Sequence, residues 1–261
     1  MSLTVVCRQT SEVSALVDFP ETADIETSSE DYARRFSGKI GDWLLQVQER
    51  ATLDLLAPYP NARILDVGGG HGQLAEPLTR RGYRVTVFGS DAACKRQIAQ
   101  LCDRGECDFQ VGNLLDLPYG DRAFDIVISY RLLAHVKQWQ KFLTELSRVA
   151  DRAVIIDYPS LKSINAIAPY LFQLKRKIEG NTRPFACFQE TDLLEIFQAC
   201  GFEFGDRYPQ FCLPMVIHRS ANSPRVCATL EQLCRHVGLT DRFGSPVLLK
   251  LTRSQHRFSR S

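Results

Sequence analysis

Three spaced glycines follow a short apolar run that contains an aspartate. The run is Ile-Leu-Asp-Val at residues 64–67, and Gly68, Gly70 and Gly72 come after it. Because glycine has no side chain, such a turn lets a ligand lie against the backbone and the N-terminus of the following helix. A dinucleotide-binding turn would place its third glycine where Gln73 stands. The spacing therefore disfavours a nicotinamide or flavin enzyme.

A second group of polar residues follows the apolar run at residues 124–129. Tyr130 and Arg131 come directly after this run, and His135 lies four residues beyond Arg131. Histidine titrates near neutral pH, so we expect His135 to act as a base, with Arg131 pairing with an acidic substrate and Tyr130 beside it. Both residues could have structural roles instead. His135 would then form a hydrogen bond with a neighbouring loop, and Arg131 would pair with another residue of the chain.

Charge and cysteine content disfavour several classes of protein. The 261 residues include 32 basic and 30 acidic side chains, and a net charge of +2 is unlike the strongly basic balance of nucleic-acid-binding chains. The nine cysteines form no Cys-x-x-Cys pair and no zinc-ligand spacing, so we expect reduced thiols, a cytoplasmic location and no metal. No apolar run approaches the roughly 18 residues that span a bilayer, so no membrane span is expected.

Short apolar runs alternate with helical patterns along the chain. Strands are predicted at residues 62–67, 83–88, 108–111, 124–129, 153–157, 208–217 and 246–251. Helices are predicted at residues 74–81, 91–102, 139–149, 190–200 and 229–237. Because parallel neighbours need connections of about a dozen residues, the alternation predicts an α/β sheet with helical crossovers.

We predict one domain over residues 31–252, with additions at both ends. Composition leaves the structure of the acidic, Ser/Thr-rich residues 1–30 open, a flexible segment included. Apolar residues at helical spacing predict one amphipathic N-terminal helix over residues 31–58. Residues 160–188 form an insertion after the fifth strand, whose apolar stripe suits a lid helix, and residues 253–261 form a basic tail.

Two linked motifs resemble those of class I S-adenosylmethionine-dependent methyltransferases of the small-molecule type. The first is Ile-Leu-Asp-Val-Gly-Gly-Gly-His-Gly at residues 64–72; the second joins Leu-Pro-Tyr at 117–119 to Ala-Phe-Asp-Ile-Val-Ile-Ser at 123–129. The second is similar to the family's adenine-side loop followed by its fourth strand, and the resemblance covers roughly residues 30 to 215. It implies a seven-stranded, mostly parallel Rossmann-like sheet flanked by helices, with a helical insertion after strand five.

The resemblance also implies the cofactor, S-adenosyl-L-methionine with S-adenosyl-L-homocysteine as product, and a set of residues that bind it. The glycine turn would lie against the methionine part. An acid after the second strand usually holds the ribose hydroxyls; the usual position is Gly89 here, so the role falls to Asp91, which could instead cap the following helix. The implied cofactor-binding residues are Tyr32, Arg35, Asp66, Gly68, Gly69, Gly70, Asp91, Asn113, Leu114 and Ser129.

The resemblance implies methyl transfer to a small acceptor, and the apolar insertion favours a lipophilic or aromatic one. Peripheral contact of the insertion with an anionic membrane surface and a helix packed permanently on the sheet are alternatives. A methyltransferase acting on RNA or protein would predict a basic groove or an appended domain, and a binding or regulatory module would turn over no acceptor. We expect a small-molecule partner, no nucleic acid, and a monomer or homodimer.

Overall fold

The computed structural model describes residues 19–163 and 185–254. A seven-stranded sheet has the strand order β3-β2-β1-β4-β5-β7-β6. The strands are β1 Arg63–Val67, β2 Arg84–Gly89, β3 Cys107–Val111, β4 Phe124–Ser129, β5 Ala150–Tyr158, β6 Phe202–Pro209 and β7 Val247–Arg253. Strands β1 to β5 run parallel, and β7 lies antiparallel between β5 and β6. The predicted fold, a mostly parallel seven-stranded sheet flanked by helices, is confirmed.

The central strands are apolar on both faces because helices cover both sides of the sheet. Leu65 and Val67 of β1 belong to one apolar cluster, whereas Ile64 of the same strand belongs to another. This alternation follows from the two-residue period of a strand. The helices of the described residues are α1 Ala23–Thr27, α2 Glu30–Arg34, α3 Gly38–Leu56, α4 Ala75–Arg80, α5 Ala99–Asp103, α6 Trp139–Val149, α7 Glu190–Ala199, α8 Met215–Ala221, α9 Pro224–His236 and α10 Leu239–Phe243.

The sixth strand was predicted at the wrong place. Strand β6 is Phe202–Pro209, and most of the predicted run 208–217 is instead a loop and the start of α8. Strand β6 lies at the edge of the sheet and is largely exposed over residues 203–206, so its sequence is too polar to read as a buried strand. Residues 215–217 are apolar yet exposed on the short helix α8.

Two helix predictions also need correction. The single helix predicted over residues 31–58 is two helices, α2 and α3, separated by a break at residues 35–37. Ser37 is extended and Gly38 has a φ of +79°, a left-handed conformation that interrupts a continuous helix. The helix predicted at residues 91–102 begins with a 3₁₀ turn over Ala92–Ile98 before α5.

The predicted insertion is described only at its two ends. Ser160 pairs with Phe188 in an isolated bridge, so both ends of the insertion meet beyond the carboxyl end of β5. Most of the predicted lid helix and the basic tail from residue 255 lie outside the described residues. Within residues 19–163 and 185–254, no helix is long and apolar enough to cross a bilayer.

Candidate active site

The glycine turn, residues 68–72, connects β1 to the helical side of the sheet. The Gly68 N–H donates to the carbonyl of Phe88 at 2.8 Å, which ties the turn to β2. Gly68 and Gly72 have φ values of +79° and +74°, which favour glycine. A Cβ on Gly69 would overlap the carboxyl group of Asp66. The backbone therefore wraps closely around that carboxyl group.

Asp66 is a carboxyl group that is buried at the end of β1. Neither of its oxygens has a hydrogen-bond partner among the described residues. Burial raises the pKa of Asp66 to about 7, and the nearby positive charge of Arg131 opposes part of that rise. Buried acceptors are normally satisfied, so this unpaired carboxyl group marks a place where a donor or a cation from a ligand would be stabilised.

Arg131 lies at the centre of the site, directly after β4. Its backbone N–H donates to Oδ1 of Asp157 at 2.6 Å, and its guanidinium donates to Oε1 of Gln48 at 3.1 Å and to Gln73. The guanidinium also lies over the ring of Phe36, 4.2 Å from its centroid. Because Gln73 adjoins the glycine turn and Asp157 belongs to β5, Arg131 links the two halves of the site.

Asp157 is the second buried carboxyl group. Burial raises its pKa to about 6, while the hydrogen bond and charge of Arg131 act in the opposite direction. Gln48 of α3 donates to its Oδ2 at 3.3 Å. Unlike Asp66, Asp157 is therefore held by protein donors, and it can serve as a fixed negative point beside a ligand.

A cavity of about 320 Å³ opens beyond the carboxyl ends of β4 and β5. We call it the acceptor cavity. Its walls are mainly apolar, and they come from α3, the two ends of the insertion, and the segment between β6 and α8. Its polar lining residues include Tyr32, Gln48, Arg131, His135, Asp157, Gln210 and His218. In open α/β sheets this is the edge where ligands bind.

Two histidines line the acceptor cavity. His135, predicted as a base, lies with its ring 5.6 Å from that of Phe185 at the end of the insertion. His218 of α8 was not predicted from the sequence. Its Nε2 lies 3.0 Å from Oε1 of Glu231. Burial acts to raise the pKa of Glu231, but hydrogen bonds from His218 and two backbone N–H groups together lower it below its usual value. No local sequence signal joins residues 218 and 231, because α8 and α9 meet only through tertiary packing.

Three residues predicted to bind the cofactor make internal hydrogen bonds in this structure. Asp91 accepts a hydrogen bond from the backbone N–H of Ala93 at 2.7 Å, which is the capping role that the sequence left open. Asn113 accepts one from the backbone N–H of Leu115 at 2.9 Å. The hydroxyl of Ser129 donates to the carbonyl of Val67 at 2.9 Å.

The remaining predicted residues divide between core, surface and cavity. Leu114 is buried in the apolar core, and Tyr130 is buried on the other face of the sheet, its hydroxyl 2.9 Å from that of Thr52. Tyr130 is not among the residues that line the acceptor cavity. Tyr32 does line it, and Arg35 lies on its outer side, exposed and 5.1 Å from the Tyr32 ring centroid.

Part of the chain is similar to known methyltransferases. Residues 65–155 match the model of the methyltransferase domain family. A ubiquinone biosynthesis O-methyltransferase of Maricaulis maris is 34% identical over 35% of this chain and 37% of its own length. Ajmaline N-methyltransferase of Rauvolfia serpentina is 33% identical over 48% of this chain and 46% of its own. The chain thus matches less than half the length of these curated relatives.

A solved structure extends the likeness in fold. Magnesium protoporphyrin IX methyltransferase of Synechocystis, crystallised with S-adenosylhomocysteine, superposes with a TM-score of 0.59 at 17% identity, over 87% of this chain and 96% of its own. Residues 65–155 therefore match a methyltransferase domain, and the chain shares the fold of this S-adenosylhomocysteine-bound structure. The glycine turn, the carboxyl group of Asp66, which has no hydrogen-bond partner among the described residues, and the cation of Arg131 suit a ligand that has both an ammonium and a carboxylate.

The space beside the glycine turn is filled by the chain itself. Helix α1 lies over the turn, and Gly68, Gly69 and Gly70 are buried. The chemical groups beside the turn therefore fit the methionine part of S-adenosylmethionine, while helix α1 covers the turn in the conformation described.

Proposed function

We propose that this protein transfers the methyl group of S-adenosylmethionine to a small acceptor with an apolar body and one polar, methylatable group. The observation that carries this proposal is the acceptor cavity, which adjoins Arg131 and Asp157 at the edge of the sheet next to the glycine turn. A volume of about 320 Å³ suits a molecule with one or two rings and is too small for a folded macromolecule.

Asp66 and Arg131 are the residues that we propose to hold the methionine end of the cofactor. When bound, S-adenosylmethionine supplies a methyl group made electrophilic by its sulfonium. Asp66 would accept hydrogen bonds from the ammonium group, and this contact would satisfy the carboxyl oxygens that have no partner in the described part of the chain. Arg131 is held by Gln48, Gln73 and Asp157, so its cation would be placed before any ligand arrives.

On the acceptor side, the chain's own part is to position the acceptor and to exclude water. Apolar walls would hold the acceptor's body, while His135 would take a proton from its reacting group. His218, aligned by Glu231, would hold a second polar group, because its Nδ1 has no hydrogen-bond partner among the described residues. Nε2 of Gln210, likewise without such a partner, offers another donor in the same cavity.

The flanks of the insertion support a lid for a lipophilic or aromatic acceptor. Pro159 and Ser163 at one end, and Phe185 and Cys187 at the other, all line the cavity. The intervening residues would thus begin and end at its mouth. We also propose a cytoplasmic enzyme without a nucleic-acid partner, because the described cysteines are free and the net charge is only +2.

The test is a methylation screen with the purified full chain. Phenols, amines and quinols with one or two rings would be incubated with S-adenosylmethionine, and release of S-adenosylhomocysteine would be measured by mass spectrometry. Turnover of a subset is expected. Methylation of RNA or protein only, or S-adenosylhomocysteine binding with no turnover of any acceptor, would replace this proposal with the corresponding alternative.

A matched pair of variants makes the screen specific to the acceptor cavity. Leu45→Trp would fill the cavity, which Leu45 lines, whereas Gln46→Trp places the same side chain at an exposed neighbouring position. We expect Leu45→Trp to abolish turnover and leave S-adenosylhomocysteine binding within about twofold, and Gln46→Trp to change neither. Equal turnover by both variants would show that the acceptor binds elsewhere.

A further inference from the structure

Helix α1 inserts a carboxylate into the cleft between the glycine turn and the end of β2, which we call the cofactor cleft. Asp24 is fully buried there, and it accepts hydrogen bonds from the backbone N–H of Ser90 at 2.6 Å and from the Ser90 hydroxyl. The thiol of Cys94 lies 3.3 Å from the same carboxylate. These donors at the end of β2 are thus occupied by a residue that precedes the main fold.

The same segment is anchored at two further places. Glu21 accepts hydrogen bonds from the backbone N–H groups of Lys137 and Gln138, both at 2.9 Å, just before α6. Ser28 lies against the glycine turn, where its Oγ would be 2.5 Å from a Cβ on Gly70. Ala23, between these anchors, is buried within the main apolar cluster. Residues 21–28 are therefore held at three places in this conformation.

This position covers the end of β2, where the resemblance to methyltransferases implies that the ribose of the cofactor binds. Oδ2 of Asp24 lies 3.3 Å from where a Cβ on Gly89 would stand, so its carboxylate takes the place of a side chain at the end of β2. Ser90 and Leu114, which flank the cofactor cleft, are buried, as are residues 68–70 of the glycine turn. A nucleoside and residues 21–28 cannot occupy the same volume.

We propose that residues 21–28 form an autoinhibitory plug that must leave the cofactor cleft before S-adenosylmethionine binds, and that Asp24 holds the plug in place through Ser90. This inference rests on the proposed function, because it concerns the same cofactor. Only the open fraction of the protein binds, so the apparent affinity is reduced by that fraction. A partner or solution condition that removes the plug would raise the affinity for the cofactor.

The direct test is amide hydrogen exchange in the unmodified full chain, with and without saturating S-adenosylhomocysteine. In the closed state the amide N–H of Ser28 donates to the carbonyl of Asp24 and that of Ser90 to its carboxylate. We expect the ligand to speed exchange over residues 21–28 while slowing it over residues 68–72. Slower or unchanged exchange over residues 21–28 in the saturated complex would overturn the proposal.

A matched pair of variants tests the role of Asp24. Asp24→Asn removes the charge that Ser90 contacts, whereas Glu26→Gln makes the same change on an exposed position of α1. Because hydrogen bonds to a charged group are stronger, we expect Asp24→Asn to tighten S-adenosylhomocysteine binding about tenfold in calorimetry, and Glu26→Gln to leave it within about twofold. Weaker binding by Asp24→Asn would show that Asp24 holds the cofactor, and equal binding would show that it does not hold the plug; either result would overturn the proposal.

Failure of the proposed function would look different. If neither the unmodified chain nor Asp24→Asn or Ser90→Ala bound S-adenosylhomocysteine, the cofactor assignment itself would be wrong, and the plug would fail with it. If the unmodified chain bound the ligand and exchange over residues 21–28 slowed, the cofactor assignment would stand and only the plug would be overturned. Ser90→Ala, which removes one hydroxyl donor, serves if Asp24→Asn does not fold.

Discussion

Beyond the carboxyl ends of β1 and β2, helix α1 covers the cofactor cleft, whereas beyond those of β4 and β5 the acceptor cavity of about 320 Å³ is open. The first region is made of backbone: a glycine turn, the end of a strand and a short helix that covers both. The second is made of side chains from several distant elements. The shape of the first region therefore depends on main-chain conformation, and that of the second on the identity of its side chains.

Each region contains a buried acid, and the two acids differ in their hydrogen bonding. Asp66 has no hydrogen-bond partner among the described residues, whereas Asp157 is held by Arg131 and Gln48. An unpaired buried carboxyl group destabilises the folded state, so its presence favours a role in binding rather than in stability. The largest expected effects come from residues that join the regions, and the smallest from residues that belong to one region alone.

Arg131→Met would remove the cation between the two carboxyl groups. We expect a loss of about 3 to 5 kcal/mol in the free energy of unfolding at pH 8, because removing one partner leaves buried charge uncompensated. The loss should shrink at pH 5, where both carboxyl groups, with pKa values of about 7 and about 6, are mostly protonated. Urea unfolding at both pH values measures this, with the exposed Arg35→Met as control. A loss independent of pH would contradict the coupling.

Asp66 should make stability depend on pH. Its pKa is raised from 3.8 to about 7, so between these values the folded state keeps a proton that the unfolded state has released. The free energy of unfolding should therefore fall as pH rises from 5 to 8, by up to about 1.4 kcal/mol per pH unit from this group. Urea unfolding of Asp66→Asn should show a flatter profile. An unchanged profile would show that Asp66 is ionised throughout.

A substitution of His218 tests whether the acceptor cavity and the cofactor cleft bind their ligands independently. Once an acceptor is known, His218→Gln should raise the KM for that acceptor about tenfold, since one hydrogen bond to a buried group is lost. The affinity for S-adenosylhomocysteine should stay within about twofold. His236→Gln, an exposed histidine at the end of α9, is the control. An equal change in both constants would mean that the regions are not independent.

Asp91 should show the smallest effect. Since its side chain caps the 3₁₀ turn at Ala92, Asp91→Ala should cost about 1 kcal/mol in unfolding free energy. Affinity for S-adenosylhomocysteine should change less than twofold, and the exposed Asp116→Ala should change neither. A tenfold loss of affinity, measured by calorimetry, would restore Asp91 as the acid that holds the ribose.

The sequence predicted the first five strands because buried parallel strands are continuous apolar runs between turn signals. It missed β6, whose edge position allows polar residues, and it joined α2 to α3, because helical spacing alone does not reveal the break before Gly38. In the site, the glycine turn and Asp66 were predictable, since the turn needs residues without side chains at fixed spacing. Asp91 lay at the right place in the chain, but its side chain turns to its own helix.

By itself the sequence determined the class of sheet, the position of the glycine turn and the resemblance of that turn to a methyltransferase motif. These depend on local patterns of apolar residues and glycines. Only the tertiary structure paired His218 with Glu231, placed Arg131 between two buried acids and brought Asp24 to Ser90. These contacts join residues from separate elements, up to 66 positions apart in the chain. Local spacing does not predict them, because they depend on the energies of packing and desolvation in the folded state.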